Sequence, residues 1–145
     1  ISKAPGASSA SRAADRRGDR SEKQRTQLAR VFAQVCGEKS LIGRLLLLDE
    51  PTSALDLAHQ QQVLLAIRQL ASKGCSVVLV IHDLNLAASI ADQILVLDGG
   101  RQAALGTPDQ VFTQALFKEV FDVDVIISNH PQGSFPLITP RRQHL

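Results

Sequence analysis

Asp49 and Glu50 are adjacent carboxylates placed directly after four consecutive leucines, Leu45 to Leu48, and His82-Asp83 follow a second apolar run, Ser76 to Ile81. Carboxylate oxygen suits a hard cation, directly or through water, which is the chemistry open to Asp49. Glu50, pointing elsewhere, could polarise an attacking water. His82 at a strand end could face a ligand, or could be a hydrogen-bonded structural residue.

These groups meet only if the elements before them run side by side. Four leucines followed by a polar cluster read as a central strand of a parallel sheet, buried on both faces. Pro51 stops that strand, and Thr52 or Ser53 can cap the helix that follows. Leu57 to Ser72 carries Leu57, Leu64, Ile67, Leu70 and Ala71 in helical period, with Gly74 where a C-terminal cap belongs. The run from Ser76 to Ile81 is then a second buried strand, reached through a helix as a βαβ unit requires. Parallel neighbours bring Asp49, Glu50 and His82 to the carboxyl edge of one sheet, where open α/β sheets bind ligands.

The remaining punctuation is regular. Glu22 onward shows Leu28, Val31, Phe32 and Val35 at helical spacing, with Gln24, Gln27 and Arg30 opposite, and this amphipathic helix ends near Gly37. Leu84 to Ala91 makes a short helix and Gln93 to Leu97 a third strand, and Asp98-Gly99-Gly100-Arg101 turns tightly into Gln102 to Leu105. Thr107-Pro108 starts a helix through Thr113. A helix around Ala115 to Phe121 precedes a strand-like stretch, Val123 to Ile127, and beyond Asn129 the Pro-rich tail is loop or edge strand.

With 145 residues the chain has room for one domain with a core, or for one incomplete domain. Aromatics are 3% of the residues, so that core is aliphatic. The net charge of +2 is uneven: residues 1–30 hold eight of sixteen Lys and Arg but three of fourteen acids. The body is thus net acidic, which argues against a nucleic-acid face, and the basic residues belong to a solvated end. Cys36 and Cys75 lack metal or CxxC spacing and read as plain cytosolic thiols. No apolar run nears the roughly 20 residues that span a bilayer, and residues 1–20 lack the apolar block of a secretory signal.

The string Leu45-Leu46-Leu47-Leu48-Asp49-Glu50-Pro51-Thr52-Ser53-Ala54-Leu55-Asp56 resembles the Walker B motif and D-loop of ATP-binding cassette (ABC) ATPases, and Val80-Ile81-His82-Asp83-Leu84 resembles their H-loop. Glu22-Lys23-Gln24-Arg25 with Gln27-Leu28-Ala29-Arg30 is similar to the second half of their signature segment. The resemblance covers about residues 22 to 130. Leu84-Asn85-Leu86-Ala87-Ala88, Gly106-Thr107-Pro108 and Val120 to Val125 look like importer ATPases for haem, ferric siderophores or cobalamin. Leu57-Ala58-His59-Gln60 favours the haem branch.

The resemblance implies an α/β fold, a partial P-loop NTPase core with a mostly parallel sheet and flanking helices. It implies ATP and Mg2+ as cofactors, with Asp49 organising the metal, Glu50 as catalytic base and His82 on the terminal phosphate. Asp56 and Ser53 are the implied D-loop positions at the nucleotide, Asp56 communicating across a homodimer. The implied partners are a second ATPase subunit, transmembrane permease subunits and, indirectly, a periplasmic solute-binding protein, with no nucleic acid. The implied place is peripheral, on the cytoplasmic face of the inner membrane.

The sequence also departs from the family. GxxxxGK(S/T), the phosphate-gripping Walker A loop, does not occur in the 145 residues, and Gly18-Asp19-Arg20-Ser21 stands where Leu-Ser-Gly-Gly belongs. The expected organisation is therefore an atypical, disordered segment 1–20, the C-terminal part of an ABC ATPase domain over 21–128 and a tail over 129–145. A truncated or frame-shifted copy is one expectation, inactive alone and with an open sheet edge and apolar face. A non-catalytic remnant or dimerisation module is a second, and a non-transport ABC ATPase acting on nucleic acid is a third.

Overall fold

The computed structural model describes residues 22, 26, 28–30, 32, 33, 40–53 and 55–141. The segment 1–20, the signature-like residues Lys23 to Arg25, Gln27, Val31, Val35, Cys36, Gly37, and Ala54 lie outside the described residues. Two compact units divide between Val80 and Ile81.

The first unit is a βαβ crossover. Strand β1 (Leu45–Asp49), helix α1 (Leu57–Ser72) and strand β2 (Ser76–Val80) follow one another, and β1 pairs with β2 in parallel, Leu45 opposite Ser76 and Asp49 opposite Val80. Helix α1 buries Val63, Leu64, Ile67 and Leu70, a stripe at three- and four-residue spacing. Leu57 and Ala71, expected on that stripe, are exposed: Leu57 opens the first turn and lies to one side of the stripe, and Ala71, although in register with Ile67, stands in the last turn where the helix ends. The helix ends in a Schellman motif: Gly74 N–H donates to Ala71 O at 2.9 Å and Cys75 N–H to Leu70 O at 3.1 Å. Gly74 takes φ +92°, and a Cβ there would stand 2.7 Å from Ile42 Cγ1, so the position needs glycine.

Beneath the strand pair, Leu41, Leu70 and Cys75 form a small core that Phe32, Leu46 and Val77 join. The described residues among 22–33 are helical, with Leu28 buried and Arg30 exposed, as the amphipathic pattern requires. The full burial expected for the leucine strand is not found. Leu45 and Leu47 are 63% and 66% exposed, and Val78 and Val80 on β2 are about half exposed. The reason is the alternation of a pleated strand: Leu46, Leu48, Val77 and Leu79 lie toward the covered face, and nothing among the described residues covers the other.

The second unit contains α2 (Leu84–Ile90), β3 (Ile94–Asp98), β4 (Arg101–Gly106), α3 (Pro108–Val111), α4 (Gln114–Phe121), β5 (Val125–Asn129) and β6 (Pro136–Pro140). Strands β3 and β4 form an antiparallel hairpin closed by Gly99 and Gly100, both at positive φ, 52° and 77°, which gives a two-residue turn the twist of its strands. Helix α3 stops at Val111, two residues short of the expected Thr113, because Thr113 instead caps α4 by accepting from Leu116 N–H at 3.2 Å. The tail beyond Asn129 adopts the edge-strand alternative: β6 pairs antiparallel with β5, Ile138 opposite Ile127. Of the three described strand pairs only β1–β2 is parallel, so the mostly parallel sheet is confined to that pair.

Ala88, Ile94, Val96, Val111, Phe112, Phe117, Val125 and Ile138 make the core of this unit. Phe117 is its centre, 2% exposed, with ring centroids 5.6 Å from Phe112 and 5.5 Å from Phe121, so this core is not the purely aliphatic one expected: the few phenylalanines of the chain are concentrated in it. At the end of α4, Asp122 takes φ +50° and accepts from Lys118 Nζ at 2.9 Å. That bond holds the Asp122 carboxyl below its ordinary range and the Lys118 ammonium above its own. Because the native carboxyl is the stronger acid, the small stabilisation is present at neutral pH and fades as acidification protonates Asp122.

Two contrasts test this packing. Ile67→Ala, at a site 3% exposed, should cost about 2–5 kcal/mol in denaturant unfolding. Leu47→Lys should change stability by no more than about 0.5 kcal/mol; a loss as large as that of Ile67→Ala would show that the open face is covered. Phe117→Ala should cost about 3–5 kcal/mol, and a loss below about 1 kcal/mol would contradict its place at the centre of the second unit.

Candidate functional site

Asp49 is the last residue of β1, exposed, and shares the parity of Leu45 and Leu47 on the uncovered face. The ladder continues one bond past it, since Glu50 N–H donates to Val80 O at 2.9 Å. Glu50 then leaves the strand with φ +44°, a left-handed conformation unusual for a residue with a Cβ. Such a conformation costs on the order of 1 kcal/mol and persists where neighbouring contacts enforce it.

Those contacts are present. Glu50 O accepts from Ser53 N–H at 3.3 Å and from Ser53 Oγ at 3.2 Å. Thr52, 5% exposed, is the buried polar residue of the turn. Its carbonyl accepts from Leu55 N–H at 3.2 Å and from Gln60 Nε2 at 3.2 Å. Pro51 and Leu55 are buried beside it. The loop from β1 to α1 is therefore fastened at both ends.

The cap of α1 is Asp56, not Thr52 or Ser53. Asp56 Oδ1 accepts from His59 N–H at 2.9 Å and lies 2.7 Å from His59 Nδ1. Thr52 and Ser53 stand too early in the chain, and the Ser53 hydroxyl is used to close the Glu50 turn. An aspartate directly before an apolar-periodic run is itself an N-cap signal, so the sequence offers Asp56 beside Thr52 and Ser53, and the loop path selects Asp56. His82 is exposed, two residues past the end of β2, and Asp83 caps α2 by accepting from Leu86 N–H at 3.0 Å.

Mg2+ is commonly held by one or two carboxylates, with water and substrate phosphate filling the other positions. A single exposed carboxylate at Asp49 fits that requirement. Among the described residues no group of three or more His, Cys, Asp or Glu could cage a metal. No described helix is long and apolar enough to cross a membrane.

The chain is 48% identical over 120 residues to the Hemin import ATP-binding protein HmuV of Pseudomonas fluorescens (strain Pf0-1), covering 83% of this chain and 46% of that one. It is 47% identical over 121 residues to the protein of that name from Pseudomonas aeruginosa, and 46% identical over 121 residues to that of Thermobifida fusca, covering 46% and 40% of them. Among solved structures it superposes on a metal-chelate-type ABC transporter in an inward-facing conformation, with a TM-score of 0.58 and 29% identity, over 69% of this chain and 41% of that one. The chain belongs to the ABC transporter ATPase family. No family model matches it, and it spans about half the length of the curated relatives it matches. The turn from Asp49 to Asp56 carries the string that resembles the Walker B motif and D-loop of that family, and the hydrogen bonds given above hold its described residues.

Two substitutions test this loop. Asp56→Ala should destabilise the chain by about 1 kcal/mol through the lost cap, while Ser53→Ala should cost distinctly less; the reverse order in thermal or denaturant melts would return the cap to Ser53. Glu50→Gly should be neutral or stabilising by up to about 1 kcal/mol, because glycine adopts positive φ without strain.

Proposed function

We propose that these residues serve in the ATP-binding subunit of a bacterial ABC importer, coupling ATP hydrolysis to uptake of haem or a related iron complex. The observation that carries this reading is the β1 terminus, where Asp49 closes a parallel strand and Glu50 leaves it at positive φ into a loop fastened by hydrogen bonds. The hemin-import names of the relatives supply the substrate class.

In this reading Asp49 organises Mg2+, directly or through water. The bound Mg2+ supplies charge neutralisation on the phosphates. Glu50 accepts a hydrogen bond from the attacking water and takes its proton as the water attacks. His82 faces the terminal phosphate and helps hold the water. Ser53 keeps the Glu50 turn closed, and Asp56, tied to His59, presents the D-loop to a second subunit. The partners are that second ATPase subunit and the transmembrane permease, with a periplasmic solute-binding protein acting through it, and the chain works at the cytoplasmic face of the inner membrane.

These groups need a phosphate grip, and GxxxxGK(S/T) is not found within the 145 residues. The test therefore puts residues 22–141 in place of the matching stretch of the Pseudomonas aeruginosa relative, which retains its own upstream half, and assays the chimera with its permease. Mg-ATP hydrolysis stimulated by the assembled importer is expected. Glu50→Gln in the chimera should lower kcat by about 100-fold or more while Mg-ATP binding persists. A chimera that folds and binds Mg-ATP without hydrolysing it, or in which Glu50→Gln is as active as its parent, would refute the reading.

A further inference from the structure

Asn85 lies in the first turn of α2, three residues after His82. Its carboxamide makes a pair of bonds 53 residues away in sequence: Nδ2 donates to Ile138 O at 3.0 Å, and Oδ1 accepts from Ile138 N–H at 2.7 Å. The amide thus does for the backbone of β6 what a residue of a neighbouring strand would do. Two bonds of opposite sense fix both the position and the rotation of the side chain, and both are part-buried. Replacing Asn85 by an apolar residue would leave a backbone donor and acceptor of Ile138 without partners.

The consequence runs back toward His82 through a short path. Ile138 is rooted in the core of the second unit, so its backbone is a fixed point. Asn85 ties the first turn of α2 to it. Asp83 closes the start of that turn on Leu86 N–H, and His82 is bonded directly to Asp83. Rotation or lifting of α2 would carry the histidine with it.

We propose that Asn85 is a positioning residue for His82, transmitting the docked position of the β5–β6 hairpin to the histidine. The proposal rests on the reading of His82 as the phosphate-facing group. Both amide atoms of Asn85 are engaged by the Ile138 backbone.

The test uses the full 145-residue chain, isotope-labelled, with NMR of the His82 ring and amide exchange along α2. Asn85→Ala removes both bonds. Asn85→Asp keeps the acceptor for Ile138 N–H but sets an oxygen against Ile138 O. Val125→Ala is the control, thinning the same core while leaving both bonds intact. Asn85→Ala is expected to shift the His82 ring resonances and to speed exchange at Leu86 to Ile90 by about tenfold or more, with Asn85→Asp between it and the parent. Val125→Ala should lower the melting temperature with the His82 resonances in place. Unmoved resonances in both Asn85 variants, or an equal shift in Val125→Ala, would overturn the proposal. If His82 responds to Asn85 but the chimera does not hydrolyse Mg-ATP, the functional reading falls and the coupling stands; the opposite pair of results removes the coupling alone.

Discussion

The hydrogen bond from Glu50 N–H to Val80 O at 2.9 Å is the constraint on which the candidate site depends. It continues the β1–β2 ladder past Asp49, so the two strands end at one level and the chain must change direction immediately after. The change is made at Glu50 itself, in a left-handed conformation that the Ser53 and Thr52 bonds enforce. A strand that ran on in extended conformation through Glu50 would let Asp49 and Glu50 alternate like ordinary strand residues. The polar chemistry of this loop is thus fixed by backbone bonding more than by its side chains.

Much of this was legible in the sequence because it is encoded locally. The helix bounded by Leu57 and Ser72, the parallel crossover, the Gly99-Gly100 turn and the Thr107-Pro108 helix start each follow from a few adjacent residues. The Walker B and H-loop strings gave the family for the same reason. What was misread depends on neighbours. Leu45 and Leu47 are leucines in a strand, but whether they are buried depends on what lies over them, and their own types do not encode that. The cap at Asp56 was displaced by three residues because Thr52, Ser53 and Asp56 are all chemically competent, and only the loop path selects among them. Glu50's positive φ and Asn85's bonds to Ile138 carry no sequence signal at all, the first being a backbone choice at a non-glycine, the second a contact across 53 residues.

The two units differ in how they satisfy themselves. The second has an aromatic-centred core with helices and strands on several sides of Phe117. The first rests on a thinner core under one face of two strands, and its other face presents leucine and valine. Burying those side chains would contribute roughly 1.5–3 kcal/mol each. Its stability should accordingly be more sensitive than that of the second unit to whatever covers β1 and β2.

The pairing of β6 has one more consequence. Leu137 and Thr139 lie in the closely bonded positions opposite β5, while Pro136, Ile138 and Pro140 turn their backbones outward. Two of those three have no N–H to offer, and the third N–H is already taken by Asn85. The margin of this sheet therefore has no outward donor across the strand. A stray peptide or a second copy finds no free backbone donor along this edge of β6, which disfavours cross-strand extension there.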